Sequence, residues 1–209
     1  QITDYLIKPV NPNQILLTLK KIVDNKRLVR EKTSSDYQQE FRQIIMDINS
    51  GLDYESWVDI YKRIISWELK IDQSDSTAMS DILAMQKQEA NSAFSKYVLN
   101  TYQQWMDSEE GPVLSDTLLR SKVFPNIDRE VPTVLLLLDN LRFDQWKILE
   151  PMFRELFRIE EEDYFYSILP TSTQYSRNAI FAGLMPSEIE QYYPTWWKND
   201  NEEGGKNLH

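Results

Sequence analysis

Five consecutive apolar residues, Val134 to Leu138, run straight into Asp139 and then into "NLRFDQWKILEPMFRELF", whose apolar positions recur at helical spacing. An apolar run with no polar interruption fits a strand buried on both faces, as in parallel sheets. The stretches "YFYSILPTSTQ" and "SRNAIFAGL" then repeat the order of apolar run and helical segment. Strand, helix, strand, helix is the alternation of an α/β fold. Residues 126–209 are therefore expected to form an α/β C-terminal portion built on an incomplete parallel sheet.

The preceding residues have a different texture. Phe41, Ile44, Ile45 and Ile48 form a helical stripe that Asn49-Ser50-Gly51 should end, glycine accepting the left-handed cap conformation. A further helix is expected over Tyr54 to Leu69, with Trp57, Tyr61, Ile64 and Ile65 on one face. Ser74-Asp75-Ser76 supplies another helix start, after which Met79, Ile82, Leu83, Phe94, Tyr97, Val98, Tyr102 and Trp105 keep near-helical spacing toward Gly111-Pro112. These aromatic stripes hold a helical period and lack basic interleaving, so they read as packing faces rather than as a base-stacking platform. Residues 33–125 are expected to be an all-α helical bundle linker.

At the start of the chain, "DYLIKPV" (Asp4 to Val10) is a short apolar run closed by Lys8-Pro9, which reads as the end of a strand because proline disfavours helix in the residue before it. Asn11-Pro12-Asn13 makes a turn and cap, and Ile15, Leu16, Leu19, Ile22 and Val23 mark a helix that can continue through "DNKRLVREK" as an exposed connector. Residues 1–32 form this segment.

Composition excludes several classes. Lys and Arg total 23 against 33 Asp and Glu, a net charge of -10 that disfavours nonspecific attraction to nucleic-acid backbone or anionic lipid. With no cysteine there is neither a disulfide framework nor a thiolate metal site, which suits a reducing, cytoplasmic setting. No apolar run is long enough to span a bilayer, and the N-terminus lacks a basic segment followed by an apolar signal core. Because the sequence begins at Gln1 without an initiator methionine and ends on polar "NDNEEGGKNLH", it reads as a fragment.

Ligands of open α/β sheets collect beyond the carboxyl ends of the strands. Asp139 stands at the end of one expected strand, where it can also simply cap the helix that follows. At the end of the other stand the hydroxyls of Thr171 and Thr173. A carboxylate and a hydroxyl at adjacent strand ends are hard oxygen ligands for a divalent cation, which would also activate the hydroxyl as a nucleophile. The dipole of the following helix favours a phosphate there.

"VLLLLDNLRFDQW" with "ILPTSTQYSRNAIFAGLMPSEI" resembles the start of the PglZ branch of the alkaline phosphatase superfamily. Its members place a metal-ligating aspartate after the first strand and a metal-bound threonine or serine nucleophile after the next, in a pattern that Pro170, Thr171, Thr173 and Gly183 match. The resemblance implies Asp139 as metal ligand and Thr173 as catalytic nucleophile and metal ligand, with Thr171 the competing position. One or two zinc ions, or another divalent cation, are implied as cofactor. Arg177 and Asn178, one helical turn on, are either phosphate contacts or surface residues. The family completes its metal site with further Asp and His residues, whereas the sole histidine here is His209.

"YLIKPV" before an amphipathic helix is similar to the last strand and helix of a receiver domain. In that family Lys8 would contact the phosphoryl group, Tyr5 would be the switch aromatic, and Mg2+ would bind outside this segment. Receiver end, helical linker and PglZ domain, in that order, resemble the PorX-type response regulators. The resemblance implies a two-component regulator of type IX secretion, phosphorylated by a histidine kinase, with a metal-dependent phosphodiesterase effector acting on nucleotides or oligonucleotides and a phosphorylation-dependent homodimer. A second reading stays open, in which the PglZ domain is a non-catalytic platform for protein partners such as the kinase, a sigma factor or a secretion motor. A phosphomutase or sulfatase is the third.

Overall fold

The computed structural model describes residues 12–73, 77–108, 110–128, 130–198 and 201. Among them stand six α-helices: α1 Pro12–Asn49, α2 Tyr54–Asp72, α3 Thr77–Asp107, α4 Phe143–Arg154, α5 Thr173–Ala182 and α6 Pro186–Tyr192. The chain divides into two compact units, one of Gln1–Asn100 with Arg142–Ile148, the other of Thr101–Leu141 with Leu149–His209.

In the first unit, the two apolar stripes expected at 15–23 and 41–48 lie on one helix of 38 residues. The charged stretch between them stays helical because Lys, Arg, Glu and Leu are good helix formers. Arg27 also stands 3.9 Å from both Asp24 and Glu31 along the same face. The helix stops as expected: Ser50 N–H donates to Asp47 O at 3.0 Å, and Gly51 takes φ 84°. Asp53 then caps α2, its carboxylate accepting from Ser56 N–H at 2.8 Å.

The core of this unit is a three-helix seam of Tyr37 and Ile44 from α1, Trp57, Ile60, Ile64 and Ile71 from α2, and Met79, Leu83 and Ala90 from α3. Each buried isoleucine or leucine stabilises by roughly 1.5–3 kcal/mol. Two polar arrangements fix how the helices meet. Tyr37 Oη donates to Gln86 Oε1 at 3.0 Å, and Gln86 Nε2 donates to Phe41 O at 3.2 Å. Burial pushes the Tyr37 hydroxyl up to about 12. Arg63 on α2 reaches Glu40 at 2.6 Å and Asp47 at 2.7 Å on α1. The first turns of α4 belong to this unit, with the Phe143 ring centroid 5.9 Å from that of Tyr61.

The second unit corrects the expected architecture. Of the described residues 69% are helical and none forms a strand or sheet, so neither the parallel sheet of an α/β portion nor a receiver strand is present among them. The strand end expected over Asp4 to Val10, with Tyr5 and Lys8, lies outside the described residues. A parallel strand exists only by hydrogen-bonding to a neighbour and burying both faces. The run Val134 to Leu138 does neither: its residues are 48–87% exposed and carry no regular structure. The other expected strand, "YFYSIL", finds a different neighbour. Tyr166 forms an isolated parallel bridge with Leu114, and Tyr166 N–H donates to Val113 O at 2.8 Å. The helices of the pattern do form, α4 and α5 falling where their periodicity places them. Between them and α3 lie a π-helical turn, Leu119–Val123, and a 3-10 turn, Phe124–Asn126.

Candidate active site

Helix α5 positions the sequence-derived nucleophile. Ser172 is its N-cap, in extended conformation with φ -68° and ψ 148°, and Thr173 is its first residue. The helix opens with Tyr175 N–H and Ser176 N–H donating to Ser172 O at 3.0 and 2.9 Å. It closes on Gly183, whose φ of 64° lets its N–H reach Ala179 O at 2.9 Å. A residue with a side chain would be strained at that φ. The spacing from Thr173 to Gly183 is thus the length of one short helix with its left-handed stop. Both Thr171 and Thr173 are exposed, while Arg177 and Asn178 are half-buried on the next turn, each engaged in polar contact.

Asp139 is exposed in a turn whose next residue, Asn140, has φ 63°, a conformation that asparagine tolerates. It does not cap α4. That helix starts at Phe143, with Trp146 N–H donating to Arg142 O at 2.9 Å and Arg142 N–H donating to Gln145 Oε1 at 3.0 Å. The other acid of the motif, Asp144, is engaged by a two-pronged Arg142 pair at 2.7 and 2.9 Å, which holds its carboxyl near 2. Asp139 is the acid of "DNLRFD" left open.

Asp139 and Thr173 share one unit, but no hydrogen bond joins them. They are hard oxygen donors suited to zinc or another divalent cation. A catalytic zinc takes three protein ligands, and among the described residues no group of three or more His, Asp or Glu stands together. The two donors fit a cation in kind and fall short in number. His209 lies outside the described residues.

The loop leading to Thr173 is held by residues that sequence reasoning placed elsewhere or passed over. Ser115 Oγ accepts from Ile168 N–H at 3.1 Å and lies 3.1 Å from Ser176 Oγ on α5, which is 2.7 Å from Ser167 Oγ. Ser115 and Ser176 are buried, so these three hydroxyls satisfy one another in place of water. Tyr102 Oη, at the end of α3, accepts from Leu169 N–H at 2.8 Å. The neighbouring Trp105 ring sits 5.1 Å from the Tyr166 ring. Beside Ser115, burial pushes the Asp116 carboxyl above its usual range, and its Oδ1 has no hydrogen-bond partner among the described residues. The helical period of Tyr102 and Trp105 was visible in sequence; that the Tyr102 hydroxyl would serve a distant loop had no local signal.

Residues 27–106 match the family model described as the PorX response regulator linker domain, and residues 118–209 match that described as the BREX system PglZ alkaline phosphatase-like domain. These are the matches of a PorX-type regulator. No curated protein matches the chain. The molecule is response-regulator-like, with an alkaline-phosphatase-like domain carrying Asp139 and Thr173. The PorX linker match takes in the three-helix seam, and the PglZ match begins after Tyr102, Val113 and Ser115, the residues that hold the Thr173 loop. Among the described residues no helix is long and apolar enough to cross a membrane.

Proposed function

We propose that the PglZ-like part is a metal-dependent phosphodiesterase acting on nucleotides or short oligonucleotides, and that it is the output of a cytoplasmic two-component regulator of type IX secretion. The reading rests above all on Thr173, exposed at the first residue of α5 within the alkaline-phosphatase-like match. There the unbonded N–H groups and the dipole of the helix favour an incoming phosphate. Arg177 and Asn178 stand one turn further along the same helix and are the candidates for contacting a phosphate oxygen.

In this mechanism Thr173 Oγ bonds to phosphorus as the bond to the leaving oxygen breaks in line with it. The threonine proton passes to solvent and the departing alkoxide takes a proton back. Water then cleaves the phosphothreonine, releasing phosphomonoester and restoring the hydroxyl. A divalent cation, zinc by the resemblance to the alkaline phosphatase superfamily, would supply charge neutralisation and a lowered hydroxyl pKa when held by Asp139 and Thr173. Phosphorylation by a histidine kinase acts at a distance, by shifting a conformational or dimer equilibrium.

The test is hydrolysis of bis(p-nitrophenyl) phosphate by the intact protein, with its zinc content measured alongside. Thr173→Ala and Asp139→Ala, with circular dichroism unchanged, are expected to lose turnover by more than about a hundredfold. A parent protein with neither metal nor turnover refutes the enzyme and leaves the protein-binding platform. If Thr173→Ala stays active while Thr171→Ala does not, the nucleophile is Thr171.

A further inference from the structure

Three successive attachments hold the backbone that leads into Thr173, and all come from residues 102–115. Tyr166 N–H is taken by Val113 O at 2.8 Å, Ile168 N–H by Ser115 Oγ at 3.1 Å, and Leu169 N–H by Tyr102 Oη at 2.8 Å. Two of the acceptors are side-chain oxygens, so they can be removed by substitution without altering the backbone. None of the acceptors lies within residues 118–209, where the alkaline-phosphatase-like match runs.

Each attachment restrains a different stage of the path. The bridge at Tyr166 anchors the entry, with the Trp105 ring packed on Tyr166 at 5.1 Å. Ser115 is fully buried and reaches both Ile168 N–H and Ser176 Oγ, so it ties the incoming chain to α5 itself. Tyr102 takes the last of these N–H groups, on Leu169, ahead of Pro170, which has no N–H to give. From Leu169 to Thr173 the chain advances four residues, the last of which opens the helix. A shift of about 1 Å in a reacting group costs on the order of a hundredfold in rate. Whatever restrains Leu169 therefore restrains the hydroxyl.

We propose that Tyr102, with Ser115, is a positioning residue for the nucleophile, so that the end of the PorX linker helix forms part of the catalytic scaffold of the domain that follows it. The inference rests on the hydrolase reading above. Neither residue touches the reacting atoms; they act through the backbone of 168–169. Linker and effector are then not separable modules: the loop loses all three of its attachments when residues 102–115 are displaced.

Tyr102→Phe tests this in the intact protein, because it keeps the ring that packs 6.2 Å from Trp105 and removes only the oxygen. Amide hydrogen exchange at Leu169 is expected to quicken about tenfold, the loss of one neutral hydrogen bond. With bis(p-nitrophenyl) phosphate, kcat is expected to fall about tenfold with KM within about twofold. A purely structural role for Tyr102 would lower the yield of folded protein and leave kcat per folded molecule unchanged. Ser115→Ala repeats the comparison at the Ile168 amide. Unchanged exchange at Leu169 overturns the hold, and altered exchange with unchanged kcat overturns its catalytic meaning. A parent protein without turnover overturns the hydrolase reading and with it the catalytic half of this inference, while the exchange arm still decides the hold.

Discussion

The buried pair Tyr37–Gln86 lets the specificity of the helical seam be measured rather than assumed. Both residues are 1% exposed, so water cannot replace a missing partner. Gln86→Leu removes the acceptor of the Tyr37 hydroxyl and the donor to Phe41 O, bonds of 3.0 and 3.2 Å. Phe41 O lies inside α1, where the helix bonds carbonyls on their own account, so the larger cost falls on Tyr37. A buried hydroxyl left without a partner costs about 1–3 kcal/mol. Leucine returns part of this through apolar burial, which leaves a net loss of about 1–2 kcal/mol. Tyr37→Phe alone orphans Gln86 Oε1 instead and should cost about 1 kcal/mol. The double variant leaves neither orphan. It should be more stable than the sum of the singles by about 1 kcal/mol or more, the sign that a buried pair is costly to split and nearly neutral to replace. Urea unfolding followed by far-UV circular dichroism gives the three differences, read as midpoint shifts at constant slope. If Gln86→Leu is as stable as the parent, or the two losses simply add, the pair does not act as a unit and the reasoning fails.

The Arg63 clasp makes a prediction about acid. Its side-chain hydrogen bond to Asp47, aided by charge, holds that carboxyl below its ordinary value. Asp47 therefore contributes stability above the ordinary aspartate range that is lost as pH falls through its lowered folded pKa; the acid limb of a urea-midpoint profile should flatten in Arg63→Met, and an unchanged profile would refute it. Gly183→Ala places a Cβ at φ 64° with Asp116 O 3.7 Å away, so the cost is conformational rather than steric. It should be roughly 1–2 kcal/mol, and Gly183→Asn, which tolerates the left-handed region, should recover part of it in a thermal melt.

Sequence periodicity located the helices because a helix is specified locally. The stripe of Trp57, Ile64 and Ile65 reads out the buried face of α2 whatever lies opposite, while Tyr61, expected on it, stands exposed. Periodicity allowed the first helix to continue through the charged stretch, as it does, but did not join it to the stripe at 41–48, with which it forms the single helix α1. Strands are different, because a run such as Val134 to Leu138 states only that it could be buried on both faces. Whether neighbours exist to receive its N–H and C=O groups is a property of other residues, and among the described ones they do not. The same division runs through the site. That a helix follows Thr171 and Thr173 was legible from its apolar spacing, but that Thr173 is its first residue and Gly183 its left-handed stop was not. That α4 is capped by Arg142 and Gln145, leaving Asp139 open, was not, because several residues in "DNLRFDQ" were eligible caps.

The contacts hardest to foresee are those that hold the Thr173 loop, and the reason is physical. Tyr102 sits in a stripe whose period already accounts for it, and a packed aromatic needs no further explanation until its hydroxyl is found 2.8 Å from Leu169 N–H, 67 residues away. A tyrosine brings an apolar body and a polar tip, so one residue satisfies a helix face and a remote backbone donor at once. Phenylalanine would serve the first task alone. The choice of tyrosine over phenylalanine at position 102 thus carries information that periodicity cannot express. An N–H at residue 169 with no acceptor in its own segment must be met by water or by another part of the chain. Here the tip of Tyr102 meets it, which makes the geometry of the Thr173 loop depend on where α3 ends.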